Sequence, residues 1–336
     1  MFMAQEIIKQ NAGVDVSKDD LKVALSHLTV DYRVVVRSTR TFPNTPKGFG
    51  QLQDWVNHKK YPAPAVHFTM EATGVYYEGL AYFLYEQGYR LHVVLPNHAK
   101  KYGQSLGVKS KTDKLDARTL AQMGLERELR FWQPVSPSLY GLKQLTRERD
   151  ALVRNRTTAS NLLHAYRHHG KPNQDSISRS IKQISFLDQQ IKQIEKEITS
   201  FVNQDKVLQS KMKYLLSIPG VGLLTAATIV AETNGFATFE NIRQVISYAG
   251  LDVRIAESGK WKGKSKISKR GNSHIRKALF MPSLSKIKHN RETKLFYERL
   301  KEKKAAGMIA VVAVERKLLG LMFSLWKKEE MYRHAS

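Results

Sequence analysis

The stretch "GVDVSKDDLKVAL" (residues 13–25) sets one acid, Asp15, between Val14 and Val16, and then turns at once into a second apolar run. A carboxylate is costly inside a buried strand unless it is paired or binds a cation. The segments around it supply a context. "NAGVDVS", "LKVALSHL" and "YRVVVRSTRTF" read as three successive strands with no helix between them. "PKGFGQLQDWVNHK" opens with Pro46 and places Phe49, Leu52 and Val56 on one helical face. "AVHFTME" is a fourth strand, and "GVYYEGLAYFLYEQGY" a helix with Tyr76, Leu80, Phe83 and Leu84 on one side. "RLHVVLP" is a fifth strand, followed by a polar stretch and the helix "KSKTDKLDARTLAQM".

The order βββαβαβα is that of an α/β RNase H-like (RuvC-like) fold. On such a sheet the first strand's centre, the fourth strand's end and the last helix's start meet at one edge. Those places hold Asp15, Glu71, Asp113 and Asp116. The last two are an i, i+3 pair on one helix face. Four carboxylates drawn together repel unless divalent cations lie between them, and hard oxygen ligands suit Mg²⁺. Taken singly, Asp113 also reads as a helix cap, Asp116 as a first-turn dipole partner and Glu71 as a strand end.

Composition points the same way. The chain has 336 residues, enough for two or three domains, with 55 Lys plus Arg against 30 Asp plus Glu, a formal charge of +25. Such an excess calls for a polyanion, with nucleic acid the first candidate. Cysteine is absent, which excludes disulfides and thiolate metal sites and fits a cytoplasmic setting. The opening "MFMAQEIIKQNAG" lacks the apolar core of a signal peptide, and no apolar run is long enough for a membrane span.

Three regions are expected: 1–135, 136–210 and 211–336. In the middle one, apolar residues at Ile177, Ile181, Ile184, Leu187, Ile191, Ile194, Ile198 and Phe201 read as a coiled-coil seam. It has one short heptad, a stammer, at Ile184 to Leu187. The break "RHHGKPNQDS" predicts a hairpin, and both an intramolecular pair and a dimer interface fit. The third region is mainly helical. Its "SIPGVGLLTAATIVAE" is a helix, a glycine turn and a helix, so the amides at Gly220 and Gly222 either face a phosphate or simply close a turn between packed helices. From Lys260 to Arg291 there are 11 basic residues and no acid. Phosphate ligands are expected at Lys260, Lys262, Lys264, Lys266, Lys269, Arg270, Asn272 and Arg276, with Lys109 and Lys111 beside the N-terminal acids.

Together "GVDVSK", "MEATGVY", "KTDKLDA", "SIPGVGLLTAATIVAE", "SYAGL" and "SKRGNSHIRKAL" resemble the IS-one-ten family of insertion-sequence transposases, in its IS-eleven-eleven branch. The resemblance spans almost the whole chain. It implies a RuvC-like domain whose DEDD set falls on Asp15, Glu71, Asp113 and Asp116, a coiled-coil dimerisation region, and a C-terminal transposase domain with a catalytic serine at Ser258. It departs at Val253, where a proline is usual, which keeps Ser265 and Ser268 as alternative nucleophiles. The resemblance further implies target and donor DNA, a structured guide (bridge) RNA, and a homo-oligomer, dimer or tetramer. The expected activity is therefore RNA-guided DNA recombination through a phosphoserine. Two other readings stay open: a metal-dependent nuclease or junction resolvase with a structural Ser258, and a non-catalytic architectural protein.

Overall fold

The computed structural model describes residues 6–107, 113–254, 257–258, 261–262, 266–303 and 307–333. The chain divides into two compact units, Met1–Pro134 and Val135–Ser336.

In the first unit, β1 (Ile7–Val16), β2 (Asp20–Thr29) and β3 (Val34–Pro43) form an antiparallel meander, and β4 (Val66–Glu71) and β5 (Leu91–Val94) add to it in parallel. The order is β3-β2-β1-β4-β5, the mixed sheet of an RNase H-like domain. The Ser17 hydroxyl closes the first turn by accepting from Asp20 N at 2.9 Å. Helices α1 (Pro46–Lys59) and α2 (Glu78–Glu86) follow β3 and β4. Strand alternation sorts the two faces. Ala12, Val14, Val23, Leu25, Phe68 and Met70 turn toward Leu52, Val56, Leu80 and Leu84 to make the core. Tyr76, expected on the inner face of α2, lies before that helix and is exposed. The polar stretch after β5 is a further helix, α3 (Pro96–Ser105), with Pro96 in its first turn. It buries only Ala99 and Tyr102, too few apolar residues to give a periodic signal.

Helix α4 (Asp113–Glu126) closes the other face. Here the sheet carries small residues: Ala24 packs with Ala117 and Ala121 of α4 beside Gly13 of β1. A methyl group on Gly13 would sit 2.2 Å from both Ala117 O and Ala121 N. The helix therefore rests backbone against backbone, and only glycine fits beneath it.

The second unit begins with α5 (Pro137–Arg167) and α6 (Gln174–Gln204), 31 residues each. Arg149 pairs with Glu195 at 2.7 Å, and Arg156 with Asp188 at 2.9 Å. Seven residues forward on one helix match seven back on the other, so the two run antiparallel within one chain. The expected stammer is absent. Residue Ile181 is 45% exposed, and the buried position beside it is Ser180, whose hydroxyl donates to Ser176 O. The inward series is then Ile177, Ser180, Ile184, Leu187, Ile191, Ile194 and Ile198, which alternates steps of three and four throughout. Ile181 is apolar yet faces solvent, so the apolar pattern alone runs one residue off the buried seam at this turn.

At its base the hairpin is not a separate body. Leu142, Ile198 and Val202 enter one core with α7 (Lys206–Leu216), α8 (Leu223–Glu232), α9 (Ile242–Tyr248), α10 (Ser273–His289) and α12 (Gly307–Lys328). Helix α11 (Arg291–Lys303) packs against α10 and α12. Among the described residues, four two-residue strands lie between α9 and α10: β6 (Val253–Arg254) pairs β9 (Lys266–Ile267), and β7 (Glu257–Ser258) pairs β8 (Trp261–Lys262). Among the described residues, no helix is long and apolar enough to cross a membrane.

The contact beneath α4 generates a stability prediction. Gly13→Ala should lower unfolding free energy by about 2–3 kcal/mol, the overpacking range, because backbone atoms cannot rotate aside. Gly50→Ala, with nothing within 4 Å of its added methyl group, is the control and should be neutral or slightly stabilising. Urea denaturation of the two variants measures the difference.

Candidate catalytic site

The path of α4 fixes where the acids fall. Lys9 Nζ donates to Leu125 O at 3.4 Å, Gly124 lies over Asn11 and Thr69, and Ala117 and Ala121 lie over Gly13. The helix thus runs opposite to β1, and its first turn ends beside the C-terminal end of that strand. Asp15 is two residues beyond Gly13 and shares its face. Val14 pairs Met70 in the parallel register, so the next step sets Asp15 beside Glu71. Asp116, one residue before Ala117, and Asp113 occupy the first turn of α4. Asp15, Glu71 and Asp116 are all half-buried. The sheet and the helix therefore bring all four predicted positions to one edge. The side chain of Asp113 lies outside the described residues, as do Lys109 and Lys111. Among the described residues, no group of three or more His, Cys, Asp or Glu side chains stands close enough to hold a metal ion.

Two neighbours frame this edge. Lys22 is the cross-strand partner of Asp15 on β2. The loop after Glu71 is tied to the β1–β2 turn through Asn44, whose Nδ2 donates to Ser17 O at 2.9 Å and Tyr76 O at 3.1 Å. That loop exposes Val75 and Tyr76.

In the second unit, Ser258 lies in the β7–β8 pair opposite Trp261. Its side chain is outside the described residues, as are those of Lys262 and Lys266. Lys260, Lys264 and Ser265 are outside them altogether. The root of the segment is cross-bonded. Ser268 N donates to Asp252 O, Lys269 N to Gly250 O and Asn272 N to Tyr248 O, at 2.8, 3.0 and 2.8 Å. Gly271 is held so close that an added methyl group would lie 2.4 Å from Gly250 N and from Tyr248 O. Ser268 Oγ donates to Asp252 Oδ1 at 2.5 Å, so this alternative nucleophile is engaged in holding the root.

Two expected phosphate ligands prove to have internal partners. Arg276 Nη1 donates to Ala249 O at 2.7 Å and Gly271 O at 3.2 Å. Asn272 caps α10 with its oxygen, which accepts from His274 N and Ile275 N, and gives its amide to Glu232 Oε2 at 2.6 Å. Lys269 and Arg270 remain exposed. In the glycine turn, Gly220 is in the left-handed region and packs near Ser285 of α10, while Gly222 faces open space at the start of α8.

The residue that sequence reasoning missed is Glu232. Its side chain is 0% exposed and accepts from Arg147 Nε at 2.6 Å and Nη2 at 2.9 Å. Burial works against its charge, but hydrogen bonds from Arg147 and Asn272, with the charges of Arg147 and Lys143, outweigh burial and hold the carboxyl below its ordinary range. The one available signal was an acid inside the apolar face of "TAATIVAE". Nearby, Asp150 accepts from His274 Nδ1 at 3.0 Å and also pairs with Lys277. These groups line a cleft of about 730 Å³ that also includes Glu315.

Glu315 behaves oppositely to Glu232. Burial pushes its carboxyl up to about 7, only partly offset by the Arg276 charge. The folded protein then keeps a proton that the unfolded chain releases near pH 4.5, so stability falls as pH rises from about 4.5 to about 7 and levels off above. Glu315→Gln should abolish that part of the slope, worth at most about 3 kcal/mol. Urea midpoints of both proteins across pH 4.5–8 test it.

Comparison with known proteins gives concordant matches. A model described as "Transposase", of the DEDD IS110 type, matches residues 12–166, and one described as "Transposase IS116/IS110/IS902 family" matches residues 212–298. The chain is 28% identical to the pilin gene-inverting protein of Moraxella bovis, covering 96% of this chain and 98% of that protein. It is 26% identical to the transposase for insertion sequence element IS1111A of Coxiella burnetii, covering 73% and 74% of the two. Among solved structures, RuvC of T. thermophilus in complex with a Holliday junction aligns to 34% of this chain and 90% of its own, at 11% identity and a TM-score of 0.26.

Proposed function

The chain belongs to the IS110/IS116 family of transposases, and from that premise we propose that it is an RNA-guided DNA recombinase that cuts and rejoins strands through a phosphoserine at Ser258. The observation that carries the reading is the convergence of Asp15, Glu71 and the first turn of α4 on one sheet edge, in the unit that the DEDD model matches. A relative named for inverting a gene supports rejoining over mere cutting, because an inversion leaves no free ends.

The described acids at this edge stand too far apart to enclose an ion as placed, but carboxylate oxygens are the donors that a hard divalent metal takes, and we assign Mg²⁺ to Asp15, Glu71, Asp113 and Asp116 once they draw together. When bound, the ion supplies charge neutralisation at a phosphate. The residues of the chain do the rest. The acids fix the donor positions, and Lys22 limits the repulsion among them. The Ser258 hydroxyl gives up its proton as its oxygen bonds to phosphorus, one phosphorus–oxygen bond to a deoxyribose breaks, and the freed sugar oxygen takes a proton. Attack by a sugar hydroxyl of the other strand reverses these changes, releasing the serine. Bond number is conserved at each stage, so rejoining needs no separate energy source. Lys269 and Arg270, with Lys260, Lys262, Lys264 and Lys266, hold backbone phosphates. Base pairing by a guide RNA reads the sequence. Helices α5 and α6 are the region we propose for assembly of a dimer or tetramer.

Trapped reactions should contain protein joined to a nicked strand, stable to detergent and lost on protease digestion. Ser258→Ala should bind nucleic acid as before and form no adduct, and Asp15→Ala, Glu71→Ala or chelation by EDTA should reduce adduct formation at least about 100-fold. Mg²⁺-dependent cutting by Ser258→Ala would replace this reading with a metal-dependent nuclease. Neutralising Lys269 and Arg270 together should lower the slope of log affinity against log salt by about two, one per phosphate contact, without altering target choice.

A further inference from the structure

We infer that Glu232 is a positioning residue for the Ser258-bearing segment, acting through Asn272; the inference rests on the assignment of Ser258 as nucleophile. Asp252 and Ser268, which bracket Ser258 in the sequence, are bonded to each other, so the segment starts and finishes at one root. At that root, the turn 248–250 and the turn 269–272 are bonded to each other by Lys269 N to Gly250 O and Asn272 N to Tyr248 O. Burial of Ala249, Leu251 and Ile275, with Ile267 packed against them, holds the root on the core without fixing the polar turns to it. Glu232 adds the directional, hydrogen-bonded attachment at the same root. Its Oε2 accepts from Asn272 Nδ2 on the returning end, and its backbone oxygen accepts from the Tyr248 hydroxyl on the leaving end at 3.1 Å. Arg147 of α5 grips the same carboxylate with two bonds. Glu232 thus links both ends of the segment to α8, and its carboxylate links the returning end to α5 through Arg147.

Charge is needed for this, beyond shape. Three N–H groups converge on the two oxygens of Glu232, and an amide there would turn one acceptor into a donor facing the Asn272 amide. Asn272 is likewise constrained, since its oxygen is already committed to the α10 amides and only its nitrogen is free to reach Glu232. Reversing the polarity of the contact is therefore a specific test. Glu232→Gln sets two donors against each other, and Asn272→Asp sets two carboxylates together. The double variant restores a donor facing an acceptor, conserves net charge, keeps one bond to Arg147, and leaves Asp at a helix cap where it serves as well as Asn.

The experiment uses the full chain with its copurifying RNA and a plasmid carrying the DNA that flanks its own gene. It reads three quantities: nucleic-acid affinity, the rate of covalent adduct formation, and hydrogen exchange at the Lys269 and Asn272 amides. Each single variant should keep affinity within about 2-fold, exchange faster at both amides, and form adduct about 100-fold more slowly, the loss expected from about 1 Å of misplacement. The double variant should recover to within about 10-fold of the wild-type rate. Asn272→Ser retains a capping oxygen but is too short to reach Glu232, and it carries the same expectation should either polarity variant fail to fold. Single variants that form adduct at the wild-type rate, or a double variant as slow as the singles, would overturn the inference. If the wild-type protein forms no serine adduct, the assignment of Ser258 falls. The exchange measurement then decides the role of Glu232 by itself, and unchanged protection at Lys269 and Asn272 in the single variants would refute it.

Discussion

The backbone contact between α4 and β1 at Gly13 determines the N-terminal unit. A helix normally stands off a sheet by the length of the side chains between them. Here Gly13, Ala24, Ala117 and Ala121 remove that layer, so the helix descends until carbonyl and amide groups touch the strand. Close approach also removes rotational freedom from the helix. Its first turn has one place to end, beside the termini of β1 and β4, and the acids it carries arrive there as a consequence of packing rather than of attraction between them. The larger apolar residues are kept on the opposite face, where they build the core.

The second unit solves a similar problem with charge. At the segment between α9 and α10, Ala249 and Leu251 are buried in the helical core and Ile267 packs against it, but burial has no preferred direction and leaves the polar turns at its two ends to be aligned by other means. Hydrogen bonds to carbonyl groups and to one buried carboxylate align them. A buried ion pair is a weak source of net stability, since desolvation offsets most of its attraction. It is a strong source of geometry, because each donor must meet its oxygen in a narrow range of distance and angle. Placing such a pair at the root of the segment that carries Ser258 adds direction to what packing holds.

Much of the first unit was legible because its signals are local. Strand alternation around Asp15, Pro46 at a helix start and the order of elements led to the sheet and to all four acid positions. Helix α3 was hidden because it buries only two residues. The α6 seam was displaced by one position, since Ser180 is turned inward with its hydroxyl satisfied by Ser176 O while Ile181 faces solvent. Glu232, Asn272 and Arg276 illustrate the general limit. Their roles depend on partners between 5 and 85 residues away, and a basic residue within a basic run looks like any other until the carbonyl it binds is known. Arg276 resembled a phosphate ligand for that reason.

The hairpin of α5 and α6 has a consequence for how this architecture can change its reach. Its ion pairs recur one heptad apart, and its inward positions repeat with the same period. An insertion of arbitrary length in one helix would rotate every residue beyond it off the seam and separate each arginine from its acid. Seven residues added to both helices restore every face and every pairing, extending the tip by about 10 Å at 1.5 Å per residue. The arm is in effect a ruler graduated in heptads, so lengths among functional descendants should be quantised rather than continuous.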